Sequence, residues 1–315
     1  MTHHICIPTD IRYAHKALAL CRSIEAHYGG IEHSIWILCM DELSKEVFSR
    51  IKLNNMEIVT LSDLGDRELN AIRNSRSPAE FSWTCKPTFM EHVMDKAAIG
   101  DVLNYLDADL FFFSSPKQAL EDVSPYSIAI TPHDFSVYDK GREKLVGVFN
   151  AGVIFFKKGD TARRCLEKWR SQCIEWCFAR LDDGKLADQM YLDEWPELYG
   201  NDLTLMTDSG INVGSWNIAN YHVRIDKDAV YIDKKPLISF HFHHFKTYFS
   251  SKGMLFSYPI LTGNRHIFGP YMEALRHSVS EIRSLEIPGL IIPVDKNPGL
   301  ARLIKQHIIK LWQTI

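Results

Sequence analysis

No stretch of this 315-residue chain stays apolar for the roughly 18 residues that a bilayer-spanning helix requires, so no such helix is expected. The N-terminus, MTHHICIPTDIRYAHK, carries no long apolar segment of the secretory type. A basic excess is missing as well. The 36 Lys and Arg stand against 39 Asp and Glu, a net charge of −3 with histidines neutral, which argues against a nucleic-acid partner. There is no internal repeat and no low-complexity segment. Cysteine is sparse and odd in number: Cys6, Cys21, Cys39, Cys85, Cys165, Cys173 and Cys177. Several sit inside apolar runs, so they read as reduced thiols in a reducing, cytoplasmic compartment. Cys173 and Cys177 share one face of an expected helix, where core packing explains them better than zinc.

What remains is a globular composition, 46% apolar and 24% charged. Short apolar runs alternate with helical patterns. Strands are expected at 5–8, 34–39, 57–61 and 102–106. Between them, Ala17, Leu20, Ile24 and Tyr28 make a helical stripe, and Asp41 caps a helix carrying Leu43, Val47 and Ile51. A further helix is expected from Lys86, with Pro87 in its first turn. This alternation predicts an α/β domain with a mostly parallel sheet. The second half adds strand-like runs at 127–133, 151–158 and 236–245, a Trp-rich helix at 161–180 and a short helix at 186–195. Residues 278–298 are loosely patterned. The C-terminus is again helical, with Leu300, Ile304, Ile308, Leu311, Trp312 and Ile315 on one face flanked by Arg302, Lys305 and Lys310. That helix can dock on its own domain or lie peripherally on an anionic membrane surface.

Four short constellations carry chemistry. In NYLDADLFFF, Asp107 and Asp109 follow an apolar strand directly, and buried carboxylates need a proton, a cation or a metal. Two residues apart in extended chain, they would share a face and attract Mg²⁺ or Mn²⁺; a turn in which either Asp caps backbone is the alternative. In SFHFHHFK, His241 and His243 share one face of an expected strand, His244 points away and Lys246 follows. In FNAGVIFF, Asn150 offers an amide and Gly152 permits close backbone approach. In LADQMYLDEW, Asp188 and Gln189 stand near a helix start, where an acid also serves as a cap.

In this order the pieces resemble GT-A-fold glycosyltransferases, nearest to the retaining family of glycogenin and the bacterial lipopolysaccharide galactosyl- and glucosyltransferases. The match runs from about residue 4 to 246 and includes Ile7-Pro8-Thr9-Asp10. The resemblance implies a GT-A (Rossmann-like) domain over 1–250, with a nucleotide-sugar half to about 115 and an acceptor half beyond. A helical C-terminal extension covers 251–315. It also implies Mn²⁺ or Mg²⁺ on Asp107 and Asp109, with His241 or His243 as a further ligand. Lys246 would meet the diphosphate of a nucleotide-sugar, a UDP-sugar first, and Pro8, Thr9 and Asp10 the base or ribose. Lys86 and Ala108 would face the donor, with Asn150, Gly152, Asp188 and Gln189 around the transferred sugar. The acceptor would be a glycan or lipid-linked glycan of bacterial surface polysaccharide synthesis. The family has Gly where this chain has His244, and Pro-Trp where Thr247-Tyr248 stand. Two other readings are a sugar-phosphate nucleotidyltransferase, whose Gly-rich N-terminal loop is missing, and a noncatalytic carbohydrate binder using Trp169, Trp176, Trp195 and Trp216.

Overall fold

The computed structural model describes residues 1–207, 209–250, 253–257 and 265–292. The chain opens with β1 (His3–Thr9), α1 (Ala14–His27), β2 (His33–Cys39), α2 (Glu42–Arg50) and β3 (Met56–Thr60). Three helices follow, α3 (Leu61–Leu64), α4 (Arg67–Ile72) and α5 (Pro78–Lys96), and then β4 (Val102–Leu106) and β5 (Leu110–Phe112). Next come α6 (Lys117–Val123), β6 (Ile128–Pro132), α7 (Glu143–Val146), β7 (Phe149–Lys157), α8 (Asp160–Glu175) and α9 (Trp195–Tyr199). The remainder is β8 (Leu203–Leu205), β9 (Val213–Gly214), β10 (Val223–Asp226), β11 (Ala229–Ile232), β12 (Lys235–Pro236), β13 (Ser239–His241), β14 (Lys246–Ser250), β15 (Gly253–Ser257) and α10 (Arg265–Ser284).

Seven strands form the central sheet in the order β3-β2-β1-β4-β7-β6-β8. All but β7 run the same way. Alternation along the strands builds a core on each face. On β1, Ile5 and Ile7 join the layer under α1 and α2, while Cys6 joins the layer under α5 and α8. On β4, Val102 and Leu106 face the first layer, and Leu103 and Tyr105 the second. A smaller sheet, β5-β13-β9, begins with the strand that follows β4. A third cluster joins Phe240, Phe242 and Phe245 to Ile267, Tyr271 and Leu275 of α10. α10 also reaches α1, where Arg22 pairs with Glu281 at 2.6 Å.

Several local expectations change. α5 starts at Pro78 rather than Lys86, because Ser77 and Glu80 form a reciprocal capping box and Pro78 takes the first turn. Pro87 therefore lies inside the helix, on a buried stretch whose packing outweighs the lost backbone bond. Within the run 236–245, Pro236 ends β12 and Ser239–His241 form β13; His244 takes a left-handed φ of 64° in the turn that follows. The run 186–195 is a turn and a 3₁₀ segment, Met190–Glu194, leading into α9. The expected helix at 161–180 stops at Glu175. The C-terminal helix expected beyond residue 299 lies outside the described residues.

Candidate active site

β4 ends at Leu106, and residues 107–109 form a turn instead of continuing the strand. Leu110 N–H donates to the Asp107 carbonyl at 3.1 Å, and Asp107 N–H to the Gly152 carbonyl at 2.9 Å. The same-face geometry expected of an extended Asp-x-Asp therefore does not apply. The turn nonetheless aims both carboxylates at one imidazole. His241 Nε2 lies 3.1 Å from Asp109 Oδ1 and 3.8 Å from Asp107 Oδ2. β13 delivers this ring, and its register is pinned where Leu110 faces His241 across to β5. Asp109, His241 and His243 offer ligand atoms that all lie within 4.8 Å of one another. His243 is not on the strand, but the turn after it keeps the two rings 5.9 Å apart.

Burial opposes the charge on Asp109, but the adjoining His241 and Lys16 outweigh it and hold the carboxyl well below its usual range. His243, exposed at the surface but crowded by its neighbours, is lowered by partial desolvation and then by His244 and His241, which favours the neutral ring that can ligate. Oxygen and neutral imidazole donors converging on one point make a set suited to Mn²⁺ or Mg²⁺.

The second half of the site is a buried ion cluster. Lys86, 2% exposed, reaches from α5 to Asp188 Oδ2 at 2.9 Å, Asp107 Oδ1 at 3.2 Å and the Ala151 carbonyl at 3.1 Å. Burial disfavours the ammonium, yet the two carboxylates dominate and raise its pKa. Asp188 is pushed up by burial, against the pull of Lys86. Asp107 also accepts the Tyr105 hydroxyl at 2.7 Å. The resemblance places Lys86 against the donor; in the structure it joins two carboxylates from different elements.

The sheet is irregular where it meets the site. Thr131 faces Asn150 but Ile130 faces Ile154, so Ala151, Gly152 and Val153 bulge from β7. A Cβ on Gly152 would lie 2.4 Å from the His241 ring, so only glycine leaves room for that imidazole. Asn150 sits beneath, its Oδ1 accepting the Gly152 N–H at 2.9 Å.

The other expected residues divide. Gln189 is half-buried and donates to the Val146 carbonyl at 2.7 Å, tying it to the loop between β6 and β7. Ala108 lies buried in the turn. Pro8 and Thr9 end β1, paired with Leu38 and Cys39 of β2. Asp10 caps the turn into α1, accepting from Arg12 N–H at 2.9 Å and pairing with the Arg12 guanidinium. His244 packs on His243 at 3.8 Å, and Lys246 is exposed at the start of β14. Trp169 and Trp195 are core residues, 0% and 1% exposed, which removes them from the sugar-stacking reading. Trp216, 5% exposed, stands edge-on to His133, His241 and His243. Asn212, His133 and Tyr105 enter the site without any sequence signal; Asn212 takes a left-handed φ of 57°, which asparagine tolerates.

Solved structures share this fold. The galactosyltransferase LgtC, solved with donor and acceptor sugar analogues, matches with a TM-score of 0.55 at 16% identity, over 95% of this chain and 99% of that one. This chain has the GT-A glycosyltransferase fold. The bifunctional glycosyltransferase WbbM matches at 0.51 and 12% identity, over 98% of this chain and 52% of WbbM. Mouse xyloside xylosyltransferase 1 matches at 0.50 and 14%, over 78% and 98%. By sequence, the uncharacterised YfnF and YfnD of Bacillus subtilis (strain 168) are each 29% identical, over 91% and 90% of this chain and 96% and 92% of theirs. No family profile matches the sequence.

Proposed function

We propose that this GT-A chain is a metal-dependent glycosyltransferase. It moves a sugar from a nucleoside-diphosphate sugar, a UDP-sugar first, to a glycan or lipid-linked acceptor of bacterial surface polysaccharide synthesis, with retention. The observation that carries the reading is the convergence of Asp107, Asp109, His241 and His243 at the end of a central strand. These residues would hold Mn²⁺ or Mg²⁺, which when bound supplies charge neutralisation to a diphosphate leaving group. Lys246, exposed beside the cluster's turn, adds a second positive charge for that diphosphate.

Lys86 bridges Asp107 and Asp188 and favours the charged form of Asp188 against its burial. Asp188 then presents negative charge to a sugar that becomes cationic, and Gln189 borders it. Because Asp188 is buried and committed to Lys86, it suits electrostatic stabilisation better than the proton abstraction an inverting enzyme needs. In the retaining course the acceptor hydroxyl attacks from the leaving-group side, and its proton passes to a phosphate oxygen of the departing diphosphate. The seven cysteines, all free and buried, fit a cytoplasmic setting. No described helix is long and apolar enough to cross a membrane, and peripheral contact belongs to the segment from residue 299. Liposome co-sedimentation of the full chain against one ending at 298 tests that contact.

Titration calorimetry with UDP, with and without Mn²⁺, tests the reading. UDP binding that requires Mn²⁺ and is lost in Asp109→Ala supports it. Glycan binding with no response to UDP would make the protein a lectin.

A further inference from the structure

Behind the His–Asp cluster runs a chain of buried side chains whose hydrogen-bond directions are fixed from both ends. At one end the Gly152 N–H can only donate, so the Asn150 atom it meets at 2.9 Å is the amide oxygen. The Asn212 atom 3.0 Å from that oxygen must then be its NH₂, which also donates to Thr131 Oγ1 at 2.7 Å. The remaining Asn212 oxygen lies 2.9 Å from His241 Nδ1, so Nδ1 carries a proton. At the other end the Gly147 carbonyl can only accept, and His133 Nδ1 donates to it at 3.1 Å. His133 Nε2 thus accepts from the Asn150 NH₂ at 3.2 Å. Burial pushes His133 down to about 4, which keeps it neutral for that role. Both ends agree on every intervening atom. The lone pair of His241 Nε2 is then left facing the Asp109 carboxylate, where two acceptors need a proton or a cation between them.

We propose that Asn212, held by Asn150, Thr131 and His133, is a positioning residue that fixes His241 as the Nδ1–H tautomer and presents its Nε2 to a divalent cation. This rests on the metal site proposed above, and partners of this kind tune metal affinity by about 10–100-fold. It also explains Asn150 without sugar contact: its amide sets the direction of the whole chain. Four of the links, His133, Asn150, Asn212 and His241, are less than a tenth exposed, so water does not compete for them.

The test uses the full chain with histidine labelled by ¹⁵N, read by NMR without metal, together with Mn²⁺ binding followed by EPR. Wild type should show His241 Nδ1 protonated throughout, its Nε2 sharing a proton with Asp109 until Mn²⁺ takes that place. Asn212→Gly keeps the left-handed backbone and removes the amide; it should give mixed tautomers and about tenfold weaker Mn²⁺ binding. Asn212→Asp restores the acceptor facing Nδ1 but turns its other oxygen onto that of Asn150, so it should recover Nδ1 protonation and only part of the affinity. A wild-type His241 protonated on Nε2 alone would overturn the proposal without any variant. So would a folded Asn212→Gly with wild-type tautomer and Mn²⁺ affinity. If wild type shows the Nδ1–H form but binds no Mn²⁺, the positioning of the cation is overturned and the metal-dependent reading falls with it.

Discussion

Lys86 is the residue whose removal tests the second half of the site. It is the one cation set between Asp107 and Asp188 among the described contacts, at 3.2 and 2.9 Å. In Lys86→Met two buried or half-buried carboxylates lose their common partner. Breaking such a pair costs about 3–5 kcal/mol, so urea unfolding should shift to markedly lower midpoint. A midpoint unchanged from wild type would mean that the cluster contributes nothing. Gly152→Ala is the converse case. Its Cβ would enter the His241 ring position, so overpacking of about 1–3 kcal/mol and weakened Mn²⁺ binding are expected together. Binding unchanged in that variant would show that the His241 ring has another place to go. At this scale the sequence was partly legible. Asp107, Asp109, His241 and His243 stood out as charged or ligating residues among apolar ones. Asn212 and His133 did not, because their roles come from hydrogen bonds to residues 29 and 17 positions away.

Among elements, the α5–α8 contact carries a pH dependence. Glu91 on α5 is raised from 4.5 to about 7, chiefly by burial, against Arg170 and Arg163 and with Glu167 and Asp66 adding to the rise. The nearest cation, Arg170, stands 3.7 Å away and is shared with Asp66 and Glu68. A carboxyl raised on folding is bound to its proton more tightly in the native state. Its contribution is therefore full below about pH 4.5 and is lost as pH rises through 7. Glu91→Gln should raise Tm at pH 8 and leave it nearly unchanged at pH 5. The gain is about 1 kcal/mol once the partial exposure of the site is allowed for. Equal shifts at both pH values would contradict the assignment. Strand and helix order was legible wherever periodicity was long, as in β1, α1, β2 and α2. It failed where one strong local signal hid another. Pro87 drew the start of α5 towards it, while the Ser77–Glu80 capping box set the start. The alternating SFHFHHF pattern looked like a long strand, but only Ser239–His241 finds partners, in β5 and β9.

For the molecule as a whole, the alternation of strands and helices announced an α/β sheet, and the ordered motifs announced GT-A. The reversed β7 and its bulge were not readable, since both depend on partners far along the chain. They matter because they set Gly152 and Asn150 under His241 and bring the carboxylate turn of β4 to β13. The central claim is that this junction turns over nucleotide-sugars by holding a divalent cation. The most direct measurement is release of UDP from a panel of UDP-sugars by the full chain, with Mn²⁺ or with EDTA, in wild type and Asp109→Asn. The account predicts release with Mn²⁺ for one donor, none above background in EDTA, and a loss on the order of a hundredfold or more in Asp109→Asn. Undiminished release in EDTA by that variant would contradict it.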